Sequence, residues 1–381
     1  MKILVTGVGG QLGYDVCRRL TQLGIEHKGV DVQDFDLTNA DAVMDAVRAY
    51  APDAIIHCAA YTNVEKAESM PEVCADVNGM GTLNMVRAAL AVQAKLMYIS
   101  TDYVFEGTGD QAYEVNDPIA PQSVYGLTKA QGEEAVLSLM QRYFIVRISW
   151  VFGENGHNFV RTMLRLGAEK KEITVVDDQI GSPTYTADLA VLLCDMIQTE
   201  KYGVYHATNE GYCSWAEFAQ AIMDKAGLRC KVRPVPTSEY PTAAKRPCNS
   251  RMSKRSLDEA GFAACPPGRT PWSGTSTFCR KKINVYPGRR PCPGSARTRT
   301  LWQAPPPFFL FFQEVYEHEA YEMRGLVSVP GMRTDDGHRG LGRGASFPGA
   351  FGAGGFPAGA PAADGCAAIA VLPRGRGDAS Q

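Results

Sequence analysis

From residue 2 to residue 148 the chain alternates two rhythms. Short, largely apolar runs at 2–6, 54–58, 95–100 and 144–148, and a more polar stretch at 28–32 that reads as a second strand, are separated by longer segments with apolar positions three or four residues apart. The longer segments read as helices at 11–23 (Leu12, Val16, Leu20, Leu23), 39–50 (Val43, Ala46, Val47), 72–93 and 125–142. Strands that are apolar on both faces leave no side for water. Alternated with helices, they predict an α/β, doubly wound parallel sheet of the Rossmann type, with ligands at the carboxyl ends of the strands.

After about residue 150 the pattern loosens. Helical periodicity persists at 158–169, 186–198 and 214–226, with short strands at 173–176, 204–206 and 231–234. The expected division is a dinucleotide-binding domain at 1–150 and a smaller substrate lobe at 151–262, with some chain crossing between the two. Beyond Phe262 the composition changes abruptly. That segment holds 14 of the chain's 23 prolines, and 340–365 is almost entirely Gly, Ala, Pro, Ser and Phe. Such a stretch buries too little apolar surface to offset its ordering entropy. The tail at 263–381 is therefore expected to be disordered. Because Leu257-Asp258-Glu259-Ala260-Gly261-Phe262 reads as the lead-in to a final helix that does not follow, the tail also reads as a translated alternative frame. Intact mass with resequencing of the gene would expose that, and an in-frame, natively expressed tail would sink it.

Bulk numbers narrow the function classes. The 381 residues, 45% hydrophobic, suffice for one large core or two domains. A formal net charge of -2 gives no sign of a nucleic-acid or anionic-membrane partner. The eleven cysteines form no CxxC pair, so free thiols in a reducing, cytoplasmic compartment are expected and a metal site is not. No basic stretch with an apolar core precedes the first strand, and no apolar run reaches the length of a membrane span.

Chemistry enters at three places. Gly7, Gly10 and Gly13 follow the first strand and open the first helix. Glycines there permit a tight turn, backbone approach to a pyrophosphate and close packing of helix on strand, with the phosphates at the positive helix end. Asp31 closes the second strand about 20 residues on, where a carboxylate accepts bonds from the adenosine ribose and disfavours a 2′-phosphate. This tilts the expectation toward NADH, while the nearby Lys28 leaves NADPH open. Asp36 and Leu37 are placed beside the adenine, and Ala59-Ala60-Tyr61-Thr62 lies where the middle of the cofactor passes. Tyr125 and Lys129 are four apart on one helix face, and Thr101 ends the fourth strand. A neighbouring ammonium is expected to lower the tyrosine toward working pH, so that Tyr125 exchanges a proton with a substrate oxygen while hydride moves between nicotinamide and carbon. Thr101 offers a hydroxyl to that oxygen.

Ser100-Thr101-Asp102-Tyr103-Val104-Phe105, Tyr125-Gly126-Leu127-Thr128-Lys129, Arg147-Ile148-Ser149-Trp150-Val151-Phe152, Asp177-Asp178-Gln179-Ile180-Gly181-Ser182-Pro183-Thr184 and Arg246-Pro247-Cys248-Asn249-Ser250-Arg251 resemble the dTDP-4-dehydrorhamnose reductases, extended short-chain dehydrogenase/reductases, over roughly residues 1–262. The resemblance implies reduction of a 4-keto dTDP-sugar to dTDP-L-rhamnose with NADH or NADPH. It implies Tyr125 as proton donor, Lys129 as its partner, and Thr101 with Asp102 at the substrate. It implies Gly10, Gln11, Leu12, Asp31, Asp36, Leu37, Ala60, Tyr61, Thr62 and Ile99 at the cofactor. Trp150 would contact the sugar nucleotide, with the stretch Arg246, Asn249, Arg251 toward the substrate lobe. Oligomeric state is not written in the sequence, and a homodimer is allowed. A dehydratase would need a second carboxylate after Thr101-Asp102, where Tyr103 stands instead. An epimerase, or a non-catalytic subunit like the beta subunit of methionine adenosyltransferase, would keep the same Tyr and Lys. Cofactor turnover separates these readings.

Overall fold

A computed structural model describes residues 1–263; the disorder and frame expectations for the tail concern residues outside that range. The first half runs β1 (Ile3–Thr6), α1 (Gln11–Gln22), β2 (His27–Val30), α2 (Ala40–Tyr50), β3 (Ala54–His57), α3 (Val64–Ser69), α4 (Pro71–Ala75), α5 (Gly81–Ala91), β4 (Lys95–Thr101), α6 (Val124–Leu139) and β5 (Tyr143–Ile148). The second half runs β6 (Val151–Phe152), α7 (Phe159–Glu169), β7 (Glu172–Val176), β8 (Ile180–Gly181), β9 (Thr184–Tyr185), α8 (Thr186–Ile197), β10 (Gly203–His206), β11 (Cys213–Ser214), α9 (Trp215–Lys225), β12 (Lys231–Val235), β13 (Asn249–Ser250) and α10 (Arg255–Glu259).

Six strands form one parallel sheet in the order β10-β5-β4-β3-β1-β2. Successive side chains of each strand point to opposite faces, and both faces are apolar. Ile3 and Val5 of β1 join a core with Val16 and Leu20 of α1, whereas Leu4 joins the opposite core with Val43 and Val47 of α2. The chain lays β2 on one side of β1, then returns to lay β3 on the other. A crevice opens at that reversal, above the carboxyl ends of both strands.

The second half divides its residues between the layers. Helices α7 and α9 with β7 and β12 enclose a separate core that includes Phe152, Phe159, Trp215, Phe218 and Ile222. Helix α8 instead lies against α1, adding Leu189, Leu193 and Ile197 to the core of the large sheet. Strand β10 extends that sheet beside β5, with Val204 opposite Ile145. The short α10 returns as well, burying Leu257 there, and Phe262 meets Tyr205 edge-on at 5.6 Å. Among the described residues, no helix is long and apolar enough to cross a membrane.

The segment at 72–93 is not one uniform helix. A π-helical turn, Asp76–Met80, separates α4 from α5. The wider turn coincides with Asn78 turned inward, its amide donating to Tyr61 O at 3.1 Å and Thr128 Oγ1 at 3.1 Å. Such local widening frequently accompanies functional sites, and this one touches the helix that carries Tyr125.

Candidate active site

The crevice is a cleft of about 530 Å³ that runs from the glycine turn to Tyr125 and on to the second lobe. Its floor begins where β1 stops. Gly7 has φ +71, and a Cβ there would stand 2.7 Å from Ala59 N. Gly13 packs so closely that a Cβ would meet Gly7 O at 2.3 Å. Gly10 is the N-cap of α1 and supplies no side-chain cap. The helix therefore presents its first N–H groups to the cleft, the arrangement that suits a pyrophosphate. Asn155 braces the turn from the second lobe, donating to Gly9 O at 2.9 Å and to Gly10 O at 3.2 Å. Asn158 donates to the Gln11 side chain at 3.1 Å.

Asp31 sits at the rim with its carboxylate accepting from Gly9 N at 2.6 Å and Val32 N at 2.8 Å. Asp36 and Leu37 also line the cleft. Asp36 does not cap α2: it accepts from Thr38 N at 2.9 Å, while Asn39 caps the helix through Ala42 N at 3.1 Å. Gln11, Leu12, Ala60, Thr62 and Ile99 line the cleft as well. Tyr61 does not. Asn78 clamps its backbone, accepting from Tyr61 N at 2.8 Å, and its hydroxyl is buried.

Tyr125 occupies the first turn of α6, which Ser123 caps by accepting from Gly126 N at 3.1 Å. Glu68 of α3 accepts from Val124 N at 2.9 Å, adding negative charge at the helix start. Tyr103 meets the Tyr125 ring edge-on at 5.5 Å. Burial together with the nearby Asp102 carboxylate pushes the Tyr125 hydroxyl well above the ordinary tyrosine range, an effect that Thr101 opposes. This corrects the expectation that Lys129 lowers Tyr125. The lysine ammonium sits over the Tyr98 ring, 4.1 Å from its centre. Burial pulls Lys129 down to about 7, opposed chiefly by Glu133. Tyr125 is thus a phenol at neutral pH, the form a proton donor needs.

Asp102 is buried, and burial raises it to about 6 although Ser250 and Thr101 both donate to it. Ser250 Oγ reaches its Oδ2 at 2.5 Å and Thr101 Oγ1 its Oδ1 at 3.0 Å. That bond ties the end of β4 to β13, so the large sheet and the second lobe meet at the reacting group. Behind them His57, fully buried, accepts or donates at Thr6 Oγ1 over 2.8 Å, and burial lowers it to about 3, keeping it neutral.

On the substrate side Trp150 lines the cleft with φ +50, an uncommon conformation for a bulky residue. Its indole stacks on Trp215 with ring centres 3.7 Å apart, and a Cβ on Gly181 would strike it at 2.7 Å. Arg246 lines the cleft too, but its guanidinium pairs with Glu65 at 2.6 Å and reaches the Tyr103 hydroxyl at 3.4 Å. Asn249 and Arg251 do not line it. Asn249 donates to Thr108 O at 3.2 Å and Gln111 O at 2.7 Å and accepts from Arg251 Nη1 at 2.9 Å. The pair clamps the loop after β4. The expectation missed Tyr103, Gln179, Trp215 and Ser250, all of which line the cleft. Three of them stand inside stretches already singled out, but nothing local shows which way they face. Trp215 carries no local signal beyond its place after the Ser214 cap.

A family model described as the RmlD substrate binding domain matches residues 1–271. The spore coat polysaccharide biosynthesis protein SpsK of Bacillus subtilis (strain 168) is 41% identical over 261 residues, covering 68% of this chain and 92% of that protein. The dTDP-4-dehydrorhamnose reductase of Escherichia coli (strain K12) is 37% identical over 273 residues, covering 68% and 91%. A crystal structure of dTDP-4-dehydrorhamnose reductase from Bacillus anthracis in complex with NADP superposes with a TM-score of 0.67 at 44% identity, covering 68% of this chain and 93% of that one.

Proposed function

We propose that this chain, which belongs to the RmlD substrate binding domain family, reduces the 4-keto group of dTDP-4-dehydro-6-deoxy-L-mannose to give dTDP-L-rhamnose, using NADH or NADPH. The observation that carries the reading is one continuous cleft joining an uncapped helix N-terminus at Gly10 to a half-buried phenol at Tyr125. The names of the relatives above, which cover about nine-tenths of their own length, supply the substrate class. The reading extends to the cytoplasm, in keeping with the seven described cysteines being free thiols.

The turn Gly7–Gly13, Asp31, Ala60, Thr62, Ile99 and Lys129 would hold the dinucleotide. When bound, its reduced nicotinamide supplies the hydride. Tyr125 keeps its proton until negative charge develops on the substrate oxygen, then transfers it there, leaving an alcohol. Thr101 would bond the same oxygen by turning its hydroxyl proton to it from Asp102, the carboxylate that Ser250 fixes in place. Lys129, one helical turn from Tyr125, offers positive charge as the phenol gives up its proton. The Trp150–Trp215 stack gives the sugar nucleotide a flat apolar wall.

The test mixes purified protein with dTDP-4-dehydro-6-deoxy-L-mannose and NADH or NADPH and follows the absorbance of the reduced nicotinamide. Substrate-dependent oxidation should occur and should fall by about 10²–10⁴ in Tyr125→Phe. Tight dinucleotide binding without oxidation would overturn the reading in favour of a binding subunit or an epimerase.

A further inference from the structure

Helix α6 carries a further polar group, deeply buried, on the stripe of Tyr125 and Lys129. Glu133 is only 1% exposed and lies one turn beyond Lys129. Its carboxylate accepts a fork from Arg147, Nε to Oε1 at 2.9 Å and Nη2 to Oε2 at 2.7 Å. Ser100 Oγ donates to the same Oε1 at 2.5 Å. Ser100 and Arg147 stand opposite one another on β4 and β5, and Ser100 directly precedes Thr101. Arg147 is held further by Val115 O at 3.1 Å and by the Phe105 ring at 5.0 Å. An ion pair this deep is weak support for stability, because apolar side chains of equal volume would do as well. Its position against the reacting helix points to another use.

We propose that Glu133 is a positioning residue: it keeps Lys129 charged and, through Ser100, fixes the end of β4 that presents Thr101. This rests on the reductase reading above. The groups facing Lys129 come from four elements. β4 contributes the Tyr98 ring, β3 and the turn after it His57 and Cys58, α4 Cys74, and α6 itself Glu133. Burial keeps His57 neutral and keeps Tyr98, Cys58 and Cys74 protonated. The Glu133 carboxylate is therefore the formal negative charge that offsets the desolvation of Lys129. Glu133 is the group that opposes the desolvation of Lys129 most.

The test follows the protonation midpoint of Lys129 in the dinucleotide-free protein, from the pH dependence of its Cε carbon resonance, assigned with Lys129→Met. Glu133→Gln should lower that midpoint by about one pH unit, a tenfold change in the ratio of protonated to neutral amine. The alkaline limb of kcat in the reductase assay should move down with it. Because Glu133→Gln leaves a buried guanidinium unpaired, Glu133→Gln/Arg147→Met is measured beside it and should show the same sign. A Lys129 midpoint unchanged in whichever variant folds overturns the proposal. The resonance is read without turnover, so a wild-type chain that fails to oxidise NADH or NADPH would refute the reductase reading and leave the Glu133–Lys129 coupling separately measurable.

Discussion

Gly13→Ala sets two opposing effects against each other. In an ordinary helix interior the change would stabilise by about 1 kcal/mol, since alanine is the better helix former. Gly13 lies within α1, but its Cβ would land 2.3 Å from Gly7 O, 2.7 Å from Gly7 C and 3.0 Å from Val8 Cα. All three are backbone atoms of the turn, so no side chain can swing aside. Ordinary contact begins near 3.4 Å, so α1 must retreat by roughly 1 Å, and α8 packs against it from the other side. Overpacking a tight site costs about 1–3 kcal/mol, and a backbone obstacle places this case at the upper end. After the helix-propensity gain, the net loss is about 2 kcal/mol, or about 4–8 °C in Tm at the scale of a large domain. The same retreat draws the α1 N–H groups away from the pyrophosphate, so the Kd for NADPH should rise tenfold or more, equivalent to about 1.4 kcal/mol. Thermal unfolding and calorimetric titration of NADPH read the two effects. Gly24→Ala is the control: φ is +65 there and nothing lies within 4 Å of the new Cβ. It should lower Tm without altering Kd. A Gly13→Ala protein that melts at or above wild type and binds NADPH normally would refute the reasoning.

Two further outcomes follow from the same geometry. Burial lifts Asp102 from 3.8 to about 6. An acid raised in the folded state contributes stability that is complete below its unfolded value and lost as pH climbs through its folded one. The urea-unfolding free energy of Asp102→Asn minus that of wild type should therefore rise by ~3 kcal/mol between about pH 4 and about pH 7, and a flat difference would exclude the buried carboxylate as its source. Ser214→Ala removes a capping box in which Ser214 Oγ accepts from Glu217 N at 3.0 Å, along with the bond to Asp177 at 2.5 Å. Unfolding should become easier by about 1 kcal/mol with the dinucleotide Kd unchanged, and an equal loss of dinucleotide affinity would mean that α9 reaches further into the site than its packing implies.

What could be read in the chain and what could not divide along sequence distance. Gly7, Gly10 and Gly13 declare themselves because the turn they serve spans a few residues. Tyr125 and Lys129 do so because one helical turn sets their spacing. Strands β1, β3, β4 and β5 are legible because burial on both faces writes an apolar run into each. β10 carries an apolar pattern too, but nothing in it says that its partner is β5, about 60 residues earlier. Nor does the periodicity of α8 say that it lies on α1. Asn249 and Arg251 belong to a polar stretch whose resemblance points toward substrate. The structure instead spends their hydrogen bonds on the loop after β4, a choice visible only once that loop is in place. The same holds for Lys129 and Tyr125. Sequence spacing says that they are neighbours, and a neighbouring ammonium in water would lower a phenol. In the folded protein desolvation is the largest influence on both groups, and each is driven toward its neutral form. Which groups share the charge that remains is decided by α6, β4 and β5 together, through Glu133, Ser100 and Arg147. The ion pair that most affects Lys129 was legible only as a glutamate four residues downstream.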